Sequence, residues 1–353
     1  MWIWYMIGII ACLLAFFATI MPLICAFVPR LGLFWLRKLQ TKRALLYSIA
    51  LPLASVSFYY ERELITLITL ILTIFFMLLS LQMRPWVIFQ ALDNPMHIKR
   101  DKVKIPENAM IIGISSDGTA LAWPIEKMVR PRHIVNDTIN GKPILVCYCA
   151  ACKSGIIYQR SIEGRTLTFE VLSVWRRNMV MRDRETHTIW QHLTGEALSG
   201  QFKGKSLELL GGELMTWGAW TEEHPQTLLA LEPQKTIYRR LVFKFLNKAL
   251  RSSEYMSAPG FTDLGKEIDP HEEIFAITIE GVSKAYPSSV FLKTPLIRDK
   301  FSNTIVELEY NREKNSIKAH IIINEKERVK IHVERHLWLG WKEFHPETEV
   351  FSG

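Results

Sequence analysis

Three cysteines, Cys147, Cys149 and Cys152, fall within six residues of one run, LVCYCAACKSGIIYQR (145–160). A Cys-x-x-Cys pair can close a disulfide, share a metal ion or present a thiolate of lowered pKa, and each use needs two sulfurs within a few ångströms. The other two cysteines, Cys12 and Cys25, lie in a hydrophobic N-terminal segment, where cysteine serves as a small packing residue. An odd thiol count argues against a fully paired disulfide scaffold and leaves a reactive or metal-bound group open.

The context of the pair separates these uses only in part. Lys153-Ser154-Gly155 followed by Ile156-Ile157-Tyr158-Gln159-Arg160 reads as a turn entering a strand. Thioredoxin-type exchange uses a helix N-terminus to stabilise the thiolate, and no such helix is evident, although Lys153 can lower a thiol pKa. A turn entering a strand is also the form of a metal knuckle. Cys147 and Cys149, two residues apart, share a strand face and allow a third thiolate. His133, His187, His192 or His224 can then complete a site for zinc, copper or iron. A cysteine nucleophile needs a base, for which Asp137, Asp183 and His224 are candidates. No Gly-rich phosphate loop and no His-Glu-x-x-His zinc helix is present.

The elements that must hold these residues differ along the chain. Residues 2–28 and 64–83 carry no charge, and each is long enough to cross a bilayer core as a helix. Residues 44–60, with Pro52 and three serines, form a weaker third candidate. The first segment lacks a basic flank and is too long for a cleaved signal peptide. The loop after it carries Arg30, Arg37, Lys38, Lys42 and Arg43 without an acid, which places that loop in the cytoplasm. Three spans then put the soluble part in the cytoplasm, and two put it outside. The net charge of +8 comes without any basic-aromatic nucleic-acid module, so nucleic acid is excluded and anionic lipid is the simpler partner.

Beyond residue 107 short apolar runs alternate with turn dipeptides, Asp117-Gly118, Asn140-Gly141, Glu163-Gly164 and Glu280-Gly281, which predict a mainly antiparallel β domain. Residues 212–225 predict a short helix stopped at His224-Pro225. IIGISSDGTALAWP (111–124) echoes IFAITIEGVSKAYP (274–287), and WGAWTEEHPQT (217–227) echoes WLGWKEFHPET (338–348). The fold expected is therefore two or three N-terminal transmembrane α-helices followed by a β-rich α+β domain built as a degenerate tandem repeat. Its parts are an anchor (1–84), a linker (85–106), a first repeat with the Cys-x-x-Cys pair (107–233), a basic amphipathic helix linker (234–258) and a cysteine-free second repeat (259–353). Within the helix linker, 235–251 sets apolar residues on one face and six cations on the rest, the pattern of a helix on an anionic membrane surface.

Three runs carry a family resemblance: HIVNDTINGKPILVCYCAACKSGIIYQR (133–160), RNMVMRDRETHTIWQHLTGEALSG (177–200) and TWGAWTEEHPQT (216–227). In order they join Asn136-Asp137, Cys149-x-x-Cys152, Asp183 with Thr186, Trp190, Gly195 with Ala197, and Trp220 with His224-Pro225. The chain resembles the bacterial and archaeal domain of unknown function 3179 family (DUF 3179) over roughly 107–351. That family has no assigned activity. Its usual Tyr-Cys-Pro-Leu-Cys-Gly-Ser motif is similar to a rubredoxin or zinc-ribbon knuckle, and members described as selenoproteins imply redox work. Secreted and lipid-anchored members imply an extracytoplasmic domain, against the three-span reading. Here Ala150 and Lys153 replace the knuckle's proline and glycine, and Cys147 is an addition to the pattern.

Asn136 and Asp137 are expected to fix a turn through side-chain to backbone bonds, and Asp183 with Thr186 to form a hairpin turn. Trp190, Trp217 and Trp220 read as core aromatics. His224 reads as a structural helix end, because His345-Pro346 recurs in the cysteine-free stretch. The expectation is a multi-pass protein of the cell (inner) membrane with Cys149 and Cys152 as a thiol-redox pair, Cys147 as a candidate resolving thiol and a redox partner protein. The alternatives are a metal-binding module holding zinc, copper or iron through Cys147, Cys149, Cys152 and His133, and a non-catalytic membrane-associated scaffold. Asn136, Asp137, Asp183, Trp190 and His224 support the site in either chemical reading.

Overall fold

A computed structural model describes residues 2–37, 39–102, 104–126, 132–231, 261–324 and 326–352. The expected basic helix over 235–251 lies outside the described residues. Two compact units are formed; among the described residues the first holds the chain up to Ile88 together with Leu172–Arg176, and the second holds the others.

The first unit is helical: α1 (Trp2–Phe27), α2 (Pro29–Leu36), α3 (Leu39–Tyr60), α4 (Leu64–Gln82) and the single turn α5 (Pro85–Ile88). In α1 the stretch Trp2–Pro22, and in α4 the whole of Leu64–Gln82, are long and apolar enough to cross a membrane. The weaker third segment is also helical, as part of α3. Near the start of α1, Ser57 Oγ of α3 donates to the Trp4 carbonyl at 2.6 Å, and the Trp4 and Tyr60 rings stack at 4.4 Å. Toward the other end, Thr19 Oγ1 lies 3.0 Å from Tyr47 OH of α3 and donates to the Phe76 carbonyl of α4 at 3.0 Å. α1 and α4 therefore run parallel, with α3 antiparallel to both. Close packing follows from small residues: Ala11, Ala15, Ala18, Ala50 and Ala54 are buried, and a Cβ on Gly8 would stand 2.6 Å from Thr69 Oγ1. At the α1–α2 junction Ser173 Oγ donates to the Pro22 carbonyl and Trp175 Nε1 to the Pro29 carbonyl.

The second unit is built of sheets. Sheet 1 is ordered β1 (Leu92–Asp93), β5 (Ile134–Ile139), β6 (Lys142–Cys149), β7 (Ser154–Gln159), β14 (Leu209–Gly211). Sheet 2 is ordered β10 (Phe169–Trp175), β11 (Asn178–Asp183), β12 (Ile189–Gln191), β13 (Ala197–Ser199). Sheet 3 is ordered β15 (Glu213–Thr216), β3 (Met110–Ser116), β4 (Thr119–Pro124), β16 (Leu228–Leu231), β2 (Met96–Lys99). Sheet 4 is ordered β23 (Glu334–Leu337), β17 (Glu273–Ile279), β18 (Val282–Pro287), β24 (Glu349–Val350). Sheet 5 is ordered β19 (Leu296–Phe301), β20 (Thr304–Asn311), β21 (Ser316–Ile322), β22 (Arg328–Ile331), and β8 (Ser161–Ile162) with β9 (Arg165–Thr166) makes a small hairpin.

The four predicted turn dipeptides all join antiparallel neighbours, with both residues of each at positive φ, for example Asn140 at 50° and Gly141 at 76°. This is the backbone that matches strand twist in a two-residue hairpin. Alternate residues of sheet 1 enter different cores. Leu145, Cys147, Ile156 and Tyr158 pack with Phe169, Met179 and Trp190 of sheet 2. Val146, Tyr148 and Ile157 pack with Ile112, Leu121 and Trp123 of sheet 3.

Among the described residues five sheets share cores in pairs, sheet 1 with sheet 2, sheet 1 with sheet 3 and sheet 4 with sheet 5, an arrangement that resembles the blades of a β-propeller, and this corrects the expected tandem of two repeat units. The sequence echo marks two sheets of like topology. In sheet 3 the helix α6 (Trp217–Glu223) links β15 to β16, which runs parallel to β4; in sheet 4 the helix α7 (Trp338–Lys342) links β23 to β24, parallel to β18. Trp220 Nε1 donates to Thr227 Oγ1 at 2.8 Å, and Trp341 Nε1 to Thr348 Oγ1 at 3.0 Å. The matching residues thus serve one way of closing a sheet. The stretch 85–106, expected as a linker, contributes β1 and β2 to sheets 1 and 3.

Candidate functional site

The β6–β7 hairpin sets the thiols. Cys149 ends β6 directly opposite Ser154, the first residue of β7, and the connecting turn passes through Lys153 at a φ of 50°. Cys149 and Ser154 are a cross-strand pair, so their side chains leave the same face of the sheet. This face looks toward sheet 2, as the shared core of Cys147, Cys149 and Met179 requires. Cys149 Sγ lies 2.9 Å from Cys152 Sγ, and Cys152 Sγ also lies 3.2 Å from the Arg177 carbonyl oxygen. Cys149 is 2% exposed and Cys152 fully buried.

Burial by itself pushes the Cys149 thiol up. It is outweighed by hydrogen bonds from the Cys152 side chain and from the amides of Cys152, Met179 and Ala151, so the Cys149 pKa falls below the ordinary thiol value. Three N–H groups converging on one sulfur do what a helix N-terminus does in thioredoxin-type sites. The expected influence of Lys153 is not what dominates, and its side chain is exposed. Cys147 is different: its Sγ donates to the Ile156 carbonyl across the hairpin at 3.3 Å, and burial raises its pKa well above the usual range.

The turn is held from sheet 4 as well. Leu337 N donates to the Cys152 carbonyl at 2.7 Å. Arg177, whose carbonyl faces Cys152, forms a buried ion pair with Glu343 at 2.9 Å. From sheet 2, Asn178 Oδ1 accepts from His192 Nδ1 at 3.1 Å, and burial lowers the His192 pKa to about 3. His192 is therefore neutral near pH 7, and its ring is also hydrogen-bonded to the backbone of Cys147.

Other expected residues have structural roles. Asn136 does not form a turn: its amide donates to Phe169 O and Asp93 Oδ1, and its Oδ1 accepts from Phe169 N at 2.8 Å, fastening β5 to β10. Asp137 accepts from Trp123 Nε1 at 3.0 Å and from His97 Nε2 at 2.9 Å. Neither is in a turn, because both sit within β5. Asp183 does cap a turn, accepting from Thr186 N and Thr188 N, and it also takes the Trp190 indole N–H at 2.8 Å. His224 is the C-cap of α6, its ring 4.0 Å from that of Trp220. His133 Nδ1 donates to the Tyr148 carbonyl at 2.9 Å, and burial lowers its pKa to about 4. Among the described residues no group of three or more His, Cys, Asp or Glu side chains is arranged to hold a metal ion, so Cys147, Cys149, Cys152 and His133 are not gathered as a ligand set.

The family model described as "Protein of unknown function (DUF3179)" matches residues 89–348. The chain belongs to this family. The matched DUF3179 region contains both thiols, the amides that converge on Cys149 and every strand of the five sheets except β24. No curated protein and no solved structure matches the chain. Within the DUF3179 region the sequence reading missed Ser154, Asn178, Met179 and Gly340. Ser154 had a signal, since a four-residue turn after Cys149 pairs it with that cysteine. The others come from distant strands, and no spacing rule links them to Cys149.

Proposed function

We propose that this DUF3179 protein is a membrane-anchored thiol-redox protein in which Cys149 attacks as the thiolate and Cys152 resolves the oxidised product. The observation that carries this reading is the 2.9 Å separation of the two sulfurs, with amide donors lowering the Cys149 pKa. No bond exists at that distance, but closing to a disulfide of about 2.05 Å needs little more than a side-chain rotation. Cys152 rather than Cys147 is the resolving thiol in this reading, because its sulfur is the one set against Cys149 Sγ. A scaffold role gives no reason for a lowered thiol pKa in a buried turn. The test is thiol trapping of the full chain in detergent. Iodoacetamide at pH 6 labels Cys149 ahead of the other four cysteines, and mild oxidation gives a Cys149–Cys152 disulfide by mass spectrometry. Equal labelling of all thiols together with failure of the pair to close sinks the reading.

The helical unit supports a three-span anchor with the soluble part on the cytoplasmic side. α3 is antiparallel to α1 and α4 along their length, so the chain leaves α4 at the end of the bundle where α1 passes into α2. That end carries the basic run from Arg30 to Arg43, whereas Trp2, Trp4, Tyr59 and Tyr60 gather at the other. A reducing cytoplasm keeps the pair as free thiols at rest. Impermeant maleimide added to intact cells bearing a single cysteine at exposed Glu280 gives no labelling until the cells are opened; labelling before opening overturns the sidedness.

A further inference from the structure

We propose that Arg177 and Glu343 are positioning residues for the thiol pair: their ion pair holds together the two walls of a seat for Cys152, and the pair meets other molecules only when the 149–153 turn leaves that seat. The inference rests on the thiol-redox reading for what this gate serves.

Burial sets the problem. Cys149 is 2% exposed and Cys152 fully buried. The two sulfurs can close on each other in place, but exchange with another molecule depends on access to a sulfur. Some part of the cover must therefore move in each cycle.

The seat has walls from two sheets. On one side the Arg177 carbonyl, in the β10–β11 turn of sheet 2, accepts from Cys152 Sγ at 3.2 Å. On the other side, in sheet 4, Leu337 N donates to the Cys152 carbonyl at 2.7 Å, and a Cβ on Gly340 would stand 2.7 Å from the Cys152 Cβ. The Arg177 guanidinium donates to Glu343 Oε2 at 2.9 Å, with the two side chains 3% and 0% exposed. Glu343 is the C-cap of α7, the helix that carries Gly340. Cys152, Arg177, Glu343 and Gly340 thus close a ring through two sheets and the thiol turn. Thr262 braces it, its carbonyl accepting from Arg177 at 3.0 Å and its amide donating to Glu343 at 3.1 Å.

Local departures from the rest of the fold converge on this ring. Arg176 and Arg177 take both central positions of their hairpin turn at φ 49° and 60°, where each of the four dipeptide turns has glycine second. A non-glycine residue there costs about 1–3 kcal/mol, and such strain gathers at working sites. In α6 the place of Glu343 is held by Glu222, which is 62% exposed and meets Lys314 at the surface, and the place of Gly340 is held by Ala219. The α7 copy therefore differs by a glycine that admits Cys152 and by a glutamate buried on Arg177. A buried ion pair adds little net stability over an apolar pair of the same volume; fixing the register of the elements that carry it is the role that fits here.

The turn is the lighter side of the contact. α7 is anchored by Trp338 Nε1, which donates to the Leu264 carbonyl at 2.9 Å, and by Trp341 Nε1 on Thr348. Between the cysteines the turn has only Ala150 and Ala151, and the exposed Lys153 follows at a φ of 50°. Local opening of such a tip leaves the sheets intact.

The experiment uses the full chain in detergent, fully reduced, with iodoacetamide as a small probe, fluorescein maleimide as a large one, and peptide mapping of each cysteine. Glu343→Gln keeps the shape of the side chain and removes its charge. Expected is labelling of Cys149 and Cys152 at least about tenfold faster than in the wild-type chain, the worth of one hydrogen bond to a charged group, and by the same factor for both probes. Cys147, on the same hairpin but outside the seat, keeps its rate. Equal acceleration of Cys147 makes the ion pair a general prop of the fold and overturns the proposal, as does acceleration with iodoacetamide alone or no acceleration. If the variant fails to fold, hydrogen exchange in the wild-type chain decides: the Leu337 amide, released when the turn leaves, shows the same protection factor as Cys152 labelling, and unequal factors overturn the gate. Labelling as expected, with no Cys149–Cys152 disulfide under mild oxidant, sinks the thiol-redox reading and leaves the gate standing.

Discussion

Gly340 of α7 packs against Cys152: a Cβ at this position would stand 2.7 Å from the Cys152 Cβ and 3.1 Å from its Sγ. The thiol turn of sheet 1 is thereby covered by a helix of sheet 4, and the missing side chain is what allows the close approach.

Gly340→Ala therefore forces the turn to move. Overpacking of this kind costs about 1–3 kcal/mol. Thermal unfolding reports the loss of stability, and faster Cys149 alkylation reports the displaced turn. An alanine variant that unfolds at the wild-type temperature with unchanged alkylation contradicts the packing.

The lowered Cys149 pKa has a clear pH signature. Alkylation of Cys149 proceeds at pH values where an ordinary thiol, with a pKa of about 8.5, is protonated. Cys152→Ala removes the side-chain hydrogen bond to Cys149 and moves the profile to higher pH. Iodoacetamide rates from pH 5 to 9, with peptide mapping, measure both. A profile that stays in place on Cys152→Ala assigns the effect to the amides alone.

His192 and His133 stay neutral in the folded chain, their pKa values lowered by burial to about 3 and about 4. The unfolded chain binds protons on both below about pH 6.5, so stability is fully present above that value and falls as the pH drops toward the folded values. Each group contributes a slope of about 1.4 kcal/mol per pH unit in its window. Chemical denaturation between pH 7 and 4.5 checks this, and His192→Gln, which cannot titrate, flattens the slope. A slope unchanged by the substitution assigns the acid sensitivity elsewhere.

Asn136→Ala opens a fastening between sheets. Phe169 N and O lose their side-chain partner in a buried place, at a cost of about 2–6 kcal/mol for the two groups together. Urea unfolding of the full chain reads the loss. Asn136→Asp keeps the acceptor for Phe169 N but loses the donor to Phe169 O, and recovers only part of the stability.

Local chemistry carried far in the sequence. Asn140-Gly141 and its three counterparts fix both residues at positive φ, so each hairpin could be read from a dipeptide. The Cys149 turn was equally legible, as was the helix stop at His224-Pro225. What escaped was pairing between distant segments. Asn136 looked like a turn former because its type is common in turns, yet its partner Phe169 belongs to another sheet. The repeated Trp-x-x-Trp and His-Pro pattern suggested two halves, because a sequence echo shows resemblance between segments without showing how many unrelated sheets lie between them. The amide of Met179 leaves no trace in residue type at all, since any residue except proline supplies one.

The division of the site among sheets sets an order in time. The β5–β6–β7 meander is contiguous and can pair as soon as Gln159 has been made, whereas the Met179 amide arrives later and Gly340 almost at the end of synthesis. A chain still on the ribosome thus carries the Cys152 and Ala151 donors to Cys149 with the hairpin itself, gains the Met179 amide with sheet 2, and lacks to the last the helix that covers Cys152. The thiol is tuned early and shielded only with the final residues. A chain truncated before Gly340 holds the pair without its cover.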